Sequence, residues 1–511
     1  MKIKNIMLVI LIALIFIIFT ACSSNEDKVQ NNNPINTDAD IPDGEKIETD
    51  KLEVSDDLPE REFGGYNFKF YTNENTDYGN FYEIFAPESE IGEVVSDAVY
   101  KRNRTVEARF NINILTVSSG SDQSAHVNAV KKTLNAGDLS FDVAFVHCVW
   151  GPNLTIEGYA CNLLEVPQFN FDKPWWQKQT IDELSLNGKM YLGSNSIFYS
   201  GLASSKVVYF NKDKIAEYGL EMPYQTALDG KWTMDRMIAA TKDIYTDLNG
   251  DGKKDKNDFY GYVTFGNHNG FWTSCDIPIL EKGGGDILKI VVNNERTITL
   301  VEKIYDWYYG SKGVLITGEP EHQDIFANGQ ALYAFGRMRD AVKKYRASEI
   351  NYGILPLPKF DDNQPTYRVF SVDEFFIIPS MMSVDPDAME RTGIILEAMS
   401  AEGYKKIIPA YYEIALKNKY LLDEESVEVL DMITKYRTIN FAWVYDNWEG
   451  FGHMSGDLFN DNASKSFAAA IDGQGSGGGT ASKNFASYYE KREKAAQKRI
   501  DKIIKGFTDN D

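Results

Sequence analysis

The sequence predicts an α/β protein built as two lobes joined by strands that cross between them. Three observations carry this expectation. Strand-like and helix-like patterns alternate from Tyr66 to Val146. A long extended stretch with Ser and Gly at its middle runs from Lys189 to Phe210. At 511 residues the chain can bury two cores.

The elements follow in order. Tyr66–Tyr71 alternates as a half-buried strand does. Val94–Phe110 has helical spacing, Asn111–Val117 reads as a second strand, and Val127–Asn135 as a helix ended by Gly137-Asp138. Phe141–Val146 is a third strand. This order describes a doubly wound lobe, in which ligands sit beyond the carboxyl ends of the strands. The loops after Tyr71 and Val146 are therefore candidate site loops. Lys189–Tyr199 reads as an extended crossing, and Val207–Phe210 as a buried strand. Asn211 caps a short helix, Lys212–Tyr218, which Gly219 ends. Small residues in such a crossing absorb backbone rotation while both lobes stay fixed, as a hinge requires. Beyond it, Thr233–Tyr245 is an amphipathic helix and Tyr260–Val263 a strand. From Asp387 onward the pattern is mostly helical, interrupted by a glycine-rich loop at Asp472–Thr480.

The hinge region carries a resemblance. Tyr209-Phe210-Asn211-Lys212-Asp213, then Gly219-Leu220, Pro223 and Trp232-Thr233, resembles the signature of the family 1 extracellular solute-binding proteins, the sugar-type receptors of ABC importers. Phe326–Gly336 resembles that family's second crossing, Asn351–Lys359 its next strand, and Tyr367–Pro379 is apolar enough for a third crossing. The resemblance spans residues 66 to 460 and implies a type II periplasmic-binding-protein-like fold. Lobe 1 is expected at 63–199 and 335–370, and lobe 2 at 200–334 and 371–511. The implied function is capture of a carbohydrate, an oligosaccharide for preference, in the cleft by a monomer, followed by delivery to an ABC permease without catalysis. The alternative is a secreted carbohydrate-active hydrolase with paired carboxylates. The sequence holds no Gly-x-Ser-x-Gly, His-Glu-x-x-His or Walker-type motif, and only five histidines.

Met1-Lys2-Ile3-Lys4 is basic, and Ile6–Phe19 is continuously apolar but short for a membrane span. Phe19-Thr20-Ala21-Cys22 resembles a bacterial lipoprotein signal, departing from it at Phe19, where Leu is usual. Residues 1–21 are then a signal peptide, Cys22 the lipidated residue and 22–62 a polar tether holding the folded part outside the membrane. The expected location is the extracytoplasmic face of the cell membrane. A net charge of −22 argues against a nucleic-acid partner. Cys148, Cys161 and Cys275 are expected as buried free thiols, with a Cys148–Cys161 pair as the alternative.

Two constellations suggest chemistry. Asp247, Asn249, Asp251, Lys253 (through its carbonyl), Asp255 and Asp258 have the spacing of an EF-hand-like Ca²⁺ loop, with Gly252 at the sharp turn. A structural Ca²⁺ is expected there. Sugars need aromatic faces and polar side chains, and the candidates on cleft loops are Asn73, Glu74, Asp77, His147, Trp150, Asn267, Phe271, Trp272, Arg337, Asp373, Trp443 and Trp448. Trp175, Trp176 and Trp232 read as packing residues.

Overall fold

The computed structural model describes residues 54–73, 85–120, 122–265, 269–283, 287–318, 320–371, 374–416, 424–446, 449–454, 458–459 and 481–509. The expected signal, Cys22, most of the tether and the glycine-rich loop lie outside these residues.

Strand β1 (Tyr66–Thr72) buries Phe68 and Phe70 on one face. Helix α1 (Val94–Phe110) starts where the Glu93 carboxylate accepts from the Ser96 N–H, and ends at Asn111 in the left-handed region. Strand β2 (Ile112–Ser118) lies parallel to β1, with Tyr66 opposite Ile112. Helix α2 (Gln123–Asn135) is capped by Asp122, one turn before the expected start. It leads to β3 (Val143–Val146), parallel to β1 on its other side. Two short helices follow, α3 (Pro152–Ile156) and α4 (Lys178–Leu184).

The chain then crosses to a second sheet. The 189–199 stretch forms only isolated bridges, not the continuous strand expected. Strand β4 (Lys206–Asn211) is buried throughout, and Asn211 caps α5 (Lys212–Glu217) as expected. Helix α6 (Met234–Thr241) stops short because Tyr245 joins β5 (Tyr245–Thr246), which pairs with β6 (Phe259–Thr264). Next come α7 (Asn269–Ser274), β7 (Leu280–Lys282), β8 (Leu288–Ile290), α8 (Glu295–Gly310), β9 (Val314–Ile316), α9 (Glu321–Ala327), β10 (Ala331–Arg337) and β11 (Tyr352–Pro356). The second sheet runs β11-β4-β10-β6-β5, with β9 on the other side of β6, and β7 with β8 forms a separate hairpin. The return crossing expected at Phe326–Gly336 is therefore not one. β10 is hydrogen-bonded between β4 and β6, so residues 335–356 stay in the second lobe. A central strand is apolar on both faces in either sheet, so composition could not assign it.

The true return is the 367–379 stretch. β12 (Val369–Phe370) places Val369 in the second core and Phe370 in the first, and β13 (Phe375–Ile377) pairs antiparallel with β3. The first sheet is thus β13-β3-β1-β2. The two crossings lie side by side. Gly193 and Phe376 exchange both backbone hydrogen bonds at 2.9 Å, and a Cβ on Gly193 would stand 2.2 Å from the Phe376 ring.

Helix α10 (Pro386–Leu416) packs Ile394, Ile395, Leu396 and Met399 into the first core, not the second as expected. Then α11 (Glu424–Lys435) covers the second core, β14 (Arg437–Thr438) pairs with β12, and α12 (Phe441–Tyr445) precedes the last helix, α13 (Phe485–Thr508). Cys148, Cys161 and Cys275 are buried thiols, not joined in a disulfide. No helix among the described residues is long and apolar enough to cross a membrane.

Trp175 and Trp176 are packing residues, and Glu397 of α10 explains their placement. Its carboxylate accepts from both indole N–H groups, at 2.9 and 3.0 Å, and from the Asn170 N–H at 3.2 Å. Burial pushes this carboxyl up to about 7, against the pull of the three donors. In Glu397→Gln one indole N–H must face an amide NH₂, leaving buried donors unpaired. Chemical denaturation at pH 8 should show a loss of about 1–3 kcal/mol, and unchanged stability would mean that the carboxylate does not hold the tryptophans.

Candidate functional site

The three parallel strands of the first sheet, β1, β2 and β3, point their carboxyl ends the same way, as do β6, β9 and β10 in the second. In α/β sheets these ends carry the ligand-facing loops.

In the first lobe, β1 is followed by Asn73 and β3 by His147, both buried. Behind Val146 the chain turns at once: the Gly151 N–H donates to the His147 carbonyl at 2.8 Å. The Val149 N–H donates to His147 Nδ1 at 3.2 Å. That bond makes Nδ1 the acceptor and places the ring proton on Nε2. Burial pushes the imidazole down to about 4, so it is neutral at physiological pH. Trp150 is half-buried against the edge of the first core. Glu374, beside β13, is buried next to this loop.

In the second lobe, Phe265 follows β6 and Arg337 ends β10. The Arg337 guanidinium stands 5.1 Å from the Phe265 ring centroid, and His322 of α9 stacks on the same ring at 5.0 Å. The Arg337 N–H donates to Asp340 Oδ2 at 2.8 Å, which fixes the backbone where the strand ends. Arg337 also lies opposite Lys206 in the β4–β10 register. Phe265 and His322 are themselves buried, so this cluster packs the end of β10 and holds Arg337 in place.

Between the lobes, Gln177, Thr180, Ser194, Asn195, Ser371 and Arg437 line a chamber of about 10 Å³ beside the crossings, room for about one water. Asn195 is 7% exposed. Its Oδ1 accepts from the Ile197 N–H at 2.9 Å, while its Nδ2 has no hydrogen-bond partner among the described residues.

The structure thus places Asn73, His147 and Trp150 after β1 and β3, as the sequence suggests, and Arg337 at the end of β10, which is not the crossing expected there. It corrects three others. Trp272 is 1% exposed in the second core and stacks on Phe459 at 6.2 Å. Phe271, on the same short helix, packs edge-on against Trp307 at 6.1 Å. Trp443 is buried between Phe370 and His453, at 5.3 and 4.8 Å. These aromatics stabilise the cores and are not ligand platforms. Glu74, Asp77, Asn267, Asp373 and Trp448 lie outside the described residues. Phe265 and His322 were missed: one follows a correctly placed strand, so strand-end counting would have found it, but the other reaches the site only through the packing of α9.

The acidic loop at 247–258 joins β5 to β6, so a strand leads into it and not the expected helix. Gly250 and Gly252 have φ of +73° and +74°, which lets the loop coil inward. Asp247 accepts from the Gly250 and Gly252 N–H groups at 2.7 and 2.8 Å, and Asp251 from that of Lys253 at 2.8 Å. Asp258 is buried and accepts from the Asp255 N–H at 3.1 Å, the Tyr245 hydroxyl at 3.0 Å and the Leu248 N–H at 3.4 Å. Hard oxygens of this kind fit Ca²⁺ in type. Among the described residues, no three His, Cys, Asp or Glu side chains are grouped to hold a metal ion.

No protein-family profile and no curated protein matches the sequence. Solved structures do. The galacto-N-biose/lacto-N-biose I-binding protein of an ABC transporter from Bifidobacterium longum, in complex with lacto-N-biose, is 11% identical. It covers 86% of this chain and 98% of its own, with a TM-score of 0.53. Two proteins from Listeria monocytogenes align less closely. A maltose-binding protein in complex with maltose is 15% identical over 88% of this chain and 98% of its own, at a TM-score of 0.48. An ABC substrate-binding protein in complex with cycloalternan is 15% identical over 80% and 98%, at 0.46. The likeness to the first shows the fold: two lobes of the type II periplasmic-binding class.

Proposed function

We propose that this protein is an extracytoplasmic receptor that captures a carbohydrate between its lobes and delivers it to an ABC permease, without chemical conversion. The observation that carries this reading is the parallel strand ends of both lobes, with His147 and the half-buried Trp150 following β3 in the first and Arg337 ending β10 in the second. A fold shared with a receptor bound to lacto-N-biose supports the choice of ligand class. The hydrolase alternative needs two carboxylates flanking one bond, and among the described strand-end residues Asn73, His147, Trp150, Phe265 and Arg337 none is a carboxylate. Lipidation of Cys22 would hold the receptor at the membrane, with the polar tether setting its reach. A Ca²⁺ ion in the 247–258 loop would brace the β5–β6 hairpin, held by Asp247, Asn249 and Asp251, whose oxygens, like those of Asp258, also accept from the loop's own N–H groups.

A thermal-shift screen over lacto-N-biose, maltose and longer oligosaccharides should find sugars that raise the melting temperature, since a ligand that binds only the folded state stabilises it. For a sugar so found, Trp150→Ala should weaken binding by about 1–3 kcal/mol in calorimetry on folded protein. An unshifted melting temperature with every sugar would remove the carbohydrate reading.

Replacing Asp247 and Asp251 together by Ala should abolish the stabilisation given by millimolar calcium and leave chelator-treated protein as stable as its parent. Equal calcium shifts in both proteins would place the ion elsewhere.

Metabolic labelling with palmitate should mark the parent and not Cys22→Ala. Label retained on the variant would exclude Cys22 as the anchor.

A further inference from the structure

The last helix, α13, belongs to both lobes. Its first half rests on the second core: Phe485 and Ala496 are buried there, and Tyr489 stacks on Phe451 at 5.1 Å and 10°. The Arg492 Nε donates to the Gly450 carbonyl at 2.7 Å, and Lys483 pairs with Asp306 of α8 at 2.8 Å. Its second half rests on the first core, where Ile500, Ile503 and Phe507 are buried. Phe507 meets the ring of Tyr191 at 5.0 Å, and Gly506 lies so close to α3 that a Cβ there would stand 2.7 Å from the Ile156 backbone. Between the halves sits Arg499, 2% exposed. Its Nε and Nη2 donate to the Tyr445 carbonyl at 2.8 and 2.5 Å, and Nη2 also to Asn153 Oδ1 of the first lobe at 3.0 Å.

Nothing in the helix gives way between these anchorages. From Phe485 to Lys505 it contains neither glycine nor proline, the usual sites of a kink. Its 24 residues make a bar of about 36 Å. Two lesser ties lie near it. The Lys282 ammonium, on the β7–β8 hairpin, donates to the Asp182 and Ser185 carbonyls at the end of α4, at 2.9 and 3.1 Å. Arg368, at the return crossing, pairs with Glu183 of the first lobe at 2.6 Å and Asp276 of the second at 3.4 Å.

We propose that α13 is a rigid strap fixing the separation of the two lobes, so that the ligand-free protein holds one interlobe geometry and does not swing open on its crossings. Wide opening requires one half of the helix to leave its core, exposing either Ile500, Ile503 and Phe507 or Phe485, Tyr489 and Ala496. The crossings then connect the lobes, while the strap sets the angle between them.

The test needs no ligand, so its outcome is independent of whether the cleft takes a sugar. Spin labels on the exposed positions Thr105→Cys and Ala216→Cys report the interlobe distance by pulsed electron paramagnetic resonance. The chain carries Cys22→Ser, and its other three cysteines are buried. The parent should give one narrow distance. Arg499→Ala, and Gly506→Val as a wedge against Ile156, should add a longer distance while near-ultraviolet circular dichroism shows both cores packed. Lys494→Ala, on the exposed face, should leave the parent distance. A broad or two-component distribution in the ligand-free parent overturns the proposal, whether or not the variants fold. So does a folded Arg499→Ala or Gly506→Val variant that keeps the parent's distance.

Discussion

The whole arrangement depends on the contact between Gly193 and Phe376. On the first-lobe side the 189–199 stretch and β13 run as neighbours, each satisfying the other's backbone N–H and carbonyl. The ring of Phe376 occupies the space a side chain on Gly193 would need, which brings the backbones within hydrogen-bonding range. With the two segments fixed there, β13 is held against β3, whose carboxyl end begins the loop with His147. The position of the candidate site is thus a consequence of how the crossings pair.

Much of the fold was legible in the sequence because its physical signals are local. The β1–α1–β2–α2–β3 succession follows from alternation, helical spacing and caps, and Asn211 caps its helix where expected. What was not legible was membership. β10 and β11 are buried throughout, and nothing in such a strand says which of two sheets it joins; hydrogen bonding to β4 decides it. Helix α10 was assigned to the wrong lobe for the same reason, since an apolar face does not name its partner.

The site was half legible on similar grounds. A residue directly after a strand keeps that strand's direction, so His147 and Arg337 were within reach of sequence reasoning. Trp272, Phe271 and Trp443 were not. Each lies on a short helix, and a turn of helix decides whether an aromatic ring faces solvent or core. The cores took all three, because a buried tryptophan removes more apolar surface from water than any other side chain. Phe265 and His322, which pack beside Arg337 at the end of β10, come from segments more than fifty positions apart. Only the packing of α9 against the second sheet brings them together.

A strapped pair of lobes changes what binding has to accomplish. In a receptor whose lobes swing freely, a ligand must supply enough differential affinity to populate the closed form, and the measured affinity is lowered by the fraction of molecules that are competent. If α13 holds the lobes at one angle, that fraction is near unity before any ligand arrives, and affinity depends on direct contacts alone. The cost moves elsewhere: a fixed cleft cannot fold around ligands of different girth, and release cannot rely on spontaneous opening. Selectivity for ligand shape and a need for an outside agent at release therefore follow from the same helix.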